Sequence, residues 1–138
     1  MEYSVERHIA APPEAVWAVL ADGSKYVEWD PNIEKLDGTI GLGETITVHT
    51  KLSSRAFPVK VTQFDTNSVM EWTGGMPLGL FKGVRRFTLT AKDGGTEFIM
   101  REVFSGLLLP LIGRTIPDLS ESFEQFADGL KARAEGGS

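Results

Sequence analysis

Apolar and polar residues alternate along several segments of this chain, and the longest such segment predicts a β-hairpin. Asp93 and Gly94 form a strong two-residue turn signal, because both central positions of a type I′ turn need positive φ. If they join two strands, alternation places three facing pairs on one side of the hairpin: Leu89 with Phe98, Phe87 with Met100, and Arg85 with Glu102. An aromatic and aliphatic face that carries a charged pair indicates a lined cavity.

The same period of two continues in front of the hairpin, whereas a helical period follows it. The pattern predicts strands over 3–9, 32–36, 44–52, 57–64 and 69–73, with a loop over 74–79. Two short helices, over 13–21 and 25–30, are predicted after the first strand. After the hairpin, a helical turn or two is expected between residues 107 and 113. An amphipathic helix starting near Pro117 is predicted from a stripe of apolar residues at spacings of three and four: Ile116, Leu119, Phe123, Phe126 and Leu130.

This order of elements predicts an α+β fold with one curved sheet. Six or seven antiparallel strands with one apolar face must cover that face, and the only long apolar stripe available is the C-terminal helix. A strongly curved sheet around a single helix leaves space between them unless side chains fill it. That space is predicted to be lined by Trp72, Phe87, Met100, Phe104, Phe123 and Phe126.

Composition narrows the class of protein. The 138 residues fit a single domain over 1–138, and 41% hydrophobic with 24% charged residues is ordinary for a soluble protein. The net charge of −5, without a clustered basic face, argues against nucleic acid as a partner. The N-terminus is too polar for a signal peptide, and the longest apolar run, 107–112, is interrupted by Pro110 and too short to span a bilayer. We therefore expect a cytoplasmic protein without stable membrane insertion.

Three segments of the chain resemble a known superfamily. Residues 11–17 (APPEAVW), 29–31 (WDP) and 102–106 (EVFSG), followed by a C-terminal amphipathic helix, are similar to the START-like (SRPBCC) superfamily, and closest to its polyketide cyclase/dehydrase-like group. The resemblance covers nearly the whole chain. It implies a helix-grip fold, in which seven antiparallel strands surround a long C-terminal helix, two short helices close one end, and a hydrophobic cavity lies between. Members include lipid carriers, hormone- and allergen-type binders and aromatase/cyclases, and they share no universal catalytic motif.

Arg85 and Glu102 are the first candidates for chemistry. They could orient a polar group of a ligand, or Glu102 could act as a general acid or base. The alternatives are a buried ion pair that satisfies only itself, or a pair at an exposed rim.

Two apolar segments, 76–81 and 107–112, are the second candidate, because both are more apolar than loops require. They could form a gate over the cavity, finish the core, or present a surface to a partner. Tyr26 and Trp29 could form a lid, although core filling is the stronger expectation. The predicted ligand-binding residues are Trp72, Met76, Phe81, Arg85, Phe87, Met100, Glu102, Phe104, Leu108, Ile112, Ile116 and Phe123.

The remaining polar residues point to no further chemistry. His8 and His49 are isolated on polar strand faces, without the spacing of a metal site, so we expect no metal and no cofactor. Three functions stay open: binding of a small, mostly hydrophobic molecule, a polyketide cyclase/dehydratase-type reaction with Glu102 as acid/base and Arg85 stabilising an oxyanion, and an interaction module that forms a homodimer through the apolar loops.

Overall fold

A computed structural model describes residues 1–136 as seven β-strands and three α-helices. The strands are β1 (Glu2–Ile9), β2 (Ile33–Asp37), β3 (Thr45–Thr50), β4 (Phe57–Asp65), β5 (Val69–Met76), β6 (Phe81–Lys92) and β7 (Gly95–Ser105). The helices are α1 (Pro13–Leu20), α2 (Leu109–Ile112) and α3 (Ser120–Ala134), and 3₁₀ helices span Gly23–Glu28 and Gly113–Thr115.

The strands form one antiparallel sheet in the order β1-β7-β6-β5-β4-β3-β2. Only β1 leaves the sequential order, and it pairs with β7. Helix α3 lies against β1 and β7, and α1 packs against α3 and the β6–β7 hairpin. The sheet and its C-terminal helix therefore form the predicted helix-grip fold.

The predicted hairpin is confirmed in its register. Arg85 pairs with Glu102, Phe87 with Met100, and Leu89 with Phe98. Asp93 and Gly94 both have positive φ, at 50° and 78°, as the turn requires. The four apolar residues of these pairs are buried, so the hairpin contributes one wall of the core.

Several predicted boundaries were wrong by a few residues. The first half of the loop predicted over 74–79 is strand, because β5 continues to Met76 and pairs there with Phe81. Gly75 permits this pairing, since a Cβ on it would lie 2.4 Å from the carbonyl oxygen of Phe81. The second short helix is a 3₁₀ helix that begins two residues earlier than predicted, at Gly23.

The C-terminal helix also begins later than predicted. Helix α3 starts at Ser120, and the Asp118 carboxylate accepts a hydrogen bond from the Ser120 N–H at 2.9 Å. Ile116, which belongs to the predicted helical stripe, is therefore in extended backbone before the helix. The stripe from Phe123 to Leu130 is buried as predicted.

One end of the space between sheet and helix is filled. Ile9, Val16, Leu20, Phe98 and Leu130 are buried there. Gly129 lets the chain after the 3₁₀ helix approach α3, because a Cβ at this position would lie 2.0 Å from the Trp29 carbonyl oxygen. We call this filled part the closed end of the fold.

Candidate functional site

At the opposite end, a cavity of about 800 Å³ lies between the sheet and the first half of α3. Strands β2 to β7 contribute residues to its wall, together with the β3–β4 loop and the segment that joins α2 to α3. Trp72, Met100, Phe123 and Phe126 form buried apolar parts of this wall. A concave site of this size, mostly apolar with a few polar groups, has the usual composition of a small-molecule pocket.

Ten of the twelve predicted ligand-binding residues line the cavity: Trp72, Met76, Phe81, Arg85, Met100, Glu102, Phe104, Ile112, Ile116 and Phe123. Phe87 and Leu108 are absent from its wall. Phe87 is fully buried between Trp72 and Phe126, so it belongs to the filled core. Leu108 is partly buried beside the β5–β6 turn, where its N–H bonds to the Leu80 carbonyl oxygen at 2.8 Å.

Arg85 and Glu102 form an ion pair inside the cavity wall. Arg85 Nε donates to Glu102 Oε1 at 2.6 Å, and the two side chains are 24% and 13% exposed. The guanidinium also lies over the Phe123 ring, with Cζ 4.9 Å from the ring centre. Among residues 1–136, this Nε bond is the only side-chain hydrogen bond of Arg85, so Nη1 and Nη2 retain donors that a ligand could use.

Asp30 is a second carboxyl group in the cavity wall, and it is not among the residues predicted for the site. It is only 5% exposed, and its Oδ1 accepts the Asn32 N–H at 3.1 Å. Burial raises the pKa of Asp30, against the lowering effects of that hydrogen bond and of the Arg85 charge. The only sequence signal for this site residue is an isolated acidic residue between an aromatic residue and a proline. Its burial depends on how the 3₁₀ helix packs against the rest of the fold.

Trp72 adds a donor without a partner to the same wall. Its indole Nε1 is buried and makes no hydrogen bond within the part of the chain that the structure describes. Buried polar groups of this kind are rare in folded proteins. By contrast, the Tyr26 hydroxyl is bonded to the Leu20 carbonyl oxygen, so Tyr26 fills the core, as expected.

The mouth of the cavity lies where the lining residues become exposed. Leu52, Arg55 and Phe57 mark one side of it, and Thr115 and Pro117 mark another.

The β3–β4 loop was not predicted as part of the site, because a polar loop with two serines has no periodicity that would indicate its position. Val48 and Thr50 share one face of β3 by alternation, and both line the cavity together with Leu52 of the β3–β4 loop.

The two apolar segments are part wall and part surface. Met76, Phe81 and Ile112 line the cavity, whereas Leu78 and Leu107 are 91% and 79% exposed. Backbone bonds hold the segments together: Leu107 N–H donates to the Gly79 carbonyl oxygen at 3.1 Å, beside the Leu108 bond to Leu80. The alternative that they finish the core is therefore wrong for Leu78 and Leu107, which stay on the surface.

The histidines lie away from the cavity wall. His8 is exposed, as predicted, and His49 is half-buried with Nε2 3.0 Å from Asp37 Oδ2. The His49 ring and the Lys35 ammonium lower the pKa of Asp37. Within residues 1–136, no three His, Asp or Glu side chains come together as a metal site would require.

The sequence profile of one protein family matches residues 1–135, and its description is polyketide cyclase/dehydrase and lipid transport. The chain belongs to this START-like family. No functionally curated protein matches the chain.

Solved structures confirm the fold at low sequence identity. A START superfamily protein from Mycobacterium smegmatis is 17% identical, with a TM-score of 0.73 and 97% of each chain covered. The Aha1 dimer from Colwellia psychrerythraea is 17% identical, with a TM-score of 0.73 and coverage of 100% of this chain and 98% of that one. Truncated norcoclaurine synthase from Thalictrum flavum is 12% identical, with a TM-score of 0.73 and coverage of 100% and 95%. At these identities the likeness establishes the helix-grip fold of this family member.

None of the helices in residues 1–136 has the length and apolar character needed to cross a bilayer.

Proposed function

We propose that this START-like chain binds a small, mostly apolar molecule in the cavity, with one polar group of that molecule held by Arg85. The observation that carries the proposal is a cavity of about 800 Å³ whose apolar wall contains an arginine with uncommitted donors. Glu102 fixes the guanidinium through Nε, so Nη1 and Nη2 are presented in one orientation. A ligand oxygen there would receive charge-assisted hydrogen bonds, which are stronger than neutral ones.

Ligand retention and ligand uptake can be measured separately. Native mass spectrometry of the purified protein should detect a bound small molecule, and the neutral fluorophore N-phenyl-1-naphthylamine should bind with one-to-one stoichiometry. Ser122→Phe should abolish fluorophore binding, because Ser122 lies on α3 at the cavity wall. Ser122→Ala is the matched control and should bind normally. Equal binding by the Phe variant and wild type, with both folded by circular dichroism, would show that the cavity is not the site.

A second candidate function is a cyclase/dehydratase-type reaction, and the burial of Asp30 favours it. Two carboxyl groups and an arginine then share one apolar cavity. Glu102, as the carboxylate, would take a proton from the carbon next to a substrate carbonyl, and the electron pair would move to the carbonyl oxygen beside Arg85. The carbanionic carbon would attack a second carbonyl of the same molecule, whose oxygen would receive the proton of the Asp30 carboxyl group. Proton return from Glu102 to Asp30 through cavity water would complete the cycle.

The enzyme candidate requires that turnover depend on both carboxyl groups. Glu102→Gln and Asp30→Asn should each reduce turnover of a poly-β-ketone substrate by about a hundredfold or more while leaving its affinity within several-fold. Asp30→Asn keeps an oxygen that can accept the Asn32 N–H, so loss of turnover would not follow from a broken turn. Unchanged turnover in either variant would remove that residue from acid/base work.

A homodimer through the exposed apolar segments is a further proposal, supported by Leu78 and Leu107. Both are exposed and both lie at the same junction of the β5–β6 turn with the segment before α2. Sedimentation velocity should give a dimer for wild type and a monomer for Leu78→Glu. Val27→Glu, at an exposed apolar residue of the 3₁₀ helix after α1, is the control and should stay dimeric. A wild-type monomer at high concentration would contradict the proposal.

A further inference from the structure

The inner wall and the mouth of the cavity differ in charge. Asp30, Arg85 and Glu102 are the charged residues of the inner wall, and Glu102 already pairs with Arg85. A negative group placed there would meet two carboxyl groups and one arginine. At the mouth, Arg55 is the only charged side chain among the described lining residues, and it is exposed. Coulomb attraction therefore favours a negative group at the mouth and a neutral one inside.

A small polar pocket adjoins the cavity at this place. It has a volume of about 280 Å³ and shares Thr50, Ser53 and Arg55 with the cavity. Its other lining residues are Glu34, His49 and Ser54. The Ser53 hydroxyl oxygen accepts the Arg55 N–H at 3.1 Å, which leaves the hydroxyl proton free to be donated. Hydroxyl donors around a guanidinium are suited to an oxyanion.

We propose that this pocket holds the anionic head group of an amphipathic ligand whose apolar body fills the cavity. The proposal rests on the proposed binding function and adds the ligand's class and orientation. Arg55 pairs with the head group, Ser53 and Thr50 donate hydrogen bonds to it, and the apolar end points towards Trp72 and Phe126. The neutral polar group held by Arg85 then lies farther along the ligand chain.

Glu34 is the one carboxylate that faces the same pocket. It forms no ion pair with Arg55 among residues 1–136, so the guanidinium is not already neutralised there. Its negative charge opposes an anionic head group. Glu34→Gln should therefore strengthen anion binding about two- to threefold, the size expected for one exposed charge.

Two ligands with apolar chains of equal length and different head groups test the contribution of the head group separately from that of the apolar chain. Dodecanoate and dodecan-1-ol should both displace N-phenyl-1-naphthylamine from the wild-type protein at pH 8 and low salt. Dodecanoate should be the stronger competitor by about tenfold, as one charge-assisted hydrogen-bonding site allows. Arg55→Gln should reduce that preference to about twofold or less and leave dodecan-1-ol unchanged. Arg114→Gln is the matched control, because Arg114 is exposed but lines neither pocket, and it should keep the preference.

The outcomes distinguish this proposal from the proposed function. If neither ligand displaces the fluorophore, both proposals fail. If both compete and Arg55→Gln keeps the preference, only the head-group site is wrong. If Arg85→Gln removes the preference while Arg55→Gln keeps it, the anion lies at the inner wall and the proposed orientation is reversed. Equal loss in Arg55→Gln and Arg114→Gln would mean that overall charge, and no specific site, produces the preference.

Discussion

The two halves of helix α3 meet different surroundings. Its second half packs at the closed end, where Ala127 and Leu130 are fully buried. Its first half borders the cavity, with Ser122 and Phe123 in the cavity wall. The same helix thus completes a solid core at one end and borders the cavity at the other.

The polar groups of the two ends differ only in part. At the closed end, Thr96 Oγ1 donates to the Ala11 carbonyl oxygen at 2.7 Å, and the Tyr26 hydroxyl is bonded to Leu20. At the hollow end, Arg85 keeps two unused nitrogens. A buried indole Nε1 lacks a partner among the described residues at both ends, in Trp72 at the cavity wall and in Trp29 beside Gly129. Unpartnered indole nitrogens therefore do not distinguish the two ends, whereas the uncommitted guanidinium nitrogens of Arg85 occur at the cavity wall and support the proposed contact with a polar ligand group. The comparison teaches that the closed end is the densely packed part of the fold, and that the proposed binding site lies where packing is incomplete.

The largest expected difference in stability between the ends comes from replacing a leucine by alanine. The two leucines compared are Leu130 in α3 and Leu119 at the N-cap of α3. Leu130→Ala should lower the free energy of unfolding by about 3 kcal/mol, because the removed atoms leave a void in a filled core. Leu119→Ala, beside the existing cavity, should cost about 1 kcal/mol or less. Urea denaturation followed by circular dichroism measures both. Equal costs would contradict the division of the fold into a filled and a hollow end.

A glycine of the closed end tests how tightly its layers meet. Gly129→Ala should destabilise by about 2–3 kcal/mol, because its Cβ would overlap the Trp29 carbonyl oxygen, which cannot rotate away. Gly41→Ala is the control, since its Cβ would meet only Glu44 at an ordinary 3.6 Å. Thermal melts of the two variants should differ clearly. A stable Gly129→Ala protein would mean that the 3₁₀ helix can move away from α3 at little cost.

Thr96 tests whether the buried polar groups of the closed end contribute to stability. Thr96→Val keeps the shape of the side chain but leaves the Ala11 carbonyl oxygen without its partner, at a cost of about 1–2 kcal/mol. The exposed Thr90→Val, on the adjacent strand, should change stability by less than about 0.5 kcal/mol. A neutral Thr96→Val would show that water or the backbone replaces the lost bond.

The smallest expected effect concerns Asp30 at the hollow end and depends on pH. Because burial raises its pKa in the folded chain, the unfolded chain releases this proton at a lower pH. The contribution of Asp30 to stability is therefore greatest at acidic pH and falls as pH rises through the raised folded pKa. Asp30→Asn should raise the Tm relative to wild type by about 3 °C at pH 7.5 and by less at pH 4. A difference that is constant from pH 4 to pH 8 would contradict the raised pKa.

The site was predictable from sequence wherever periodic strands supplied its residues. Alternation and the Asp93–Gly94 turn placed Arg85 opposite Glu102, because the period of two and the turn type together determine register. The same period directed Phe87 to the apolar side but could not tell whether that position faced the cavity or the filled core. The boundary between the cavity and the filled core depends on where α1 and the 3₁₀ helix pack. No local sequence pattern indicates that position.

Asp30 and Arg55 show what sequence reasoning could not reach. Each lies in or beside a loop, where side-chain direction follows no period. Asp30 is buried because the segment after the 3₁₀ helix folds against α3 at Gly129. Arg55 reaches the mouth because the β3–β4 loop lies beside the cavity. Contacts between distant segments placed both residues.

The sequence alone determined the order of strands and helices along the chain, the register of the central hairpin and the charged pair on its apolar face. These follow from local alternation and turn stereochemistry, which act over a few residues. The tertiary structure decided that α3 leaves a volume open at one end, that Asp30 shares this volume with Arg85, and that Arg55 lies at its mouth. These outcomes depend on how far sheet and helix stand apart, a distance determined by the sum of all packing contacts at the closed end.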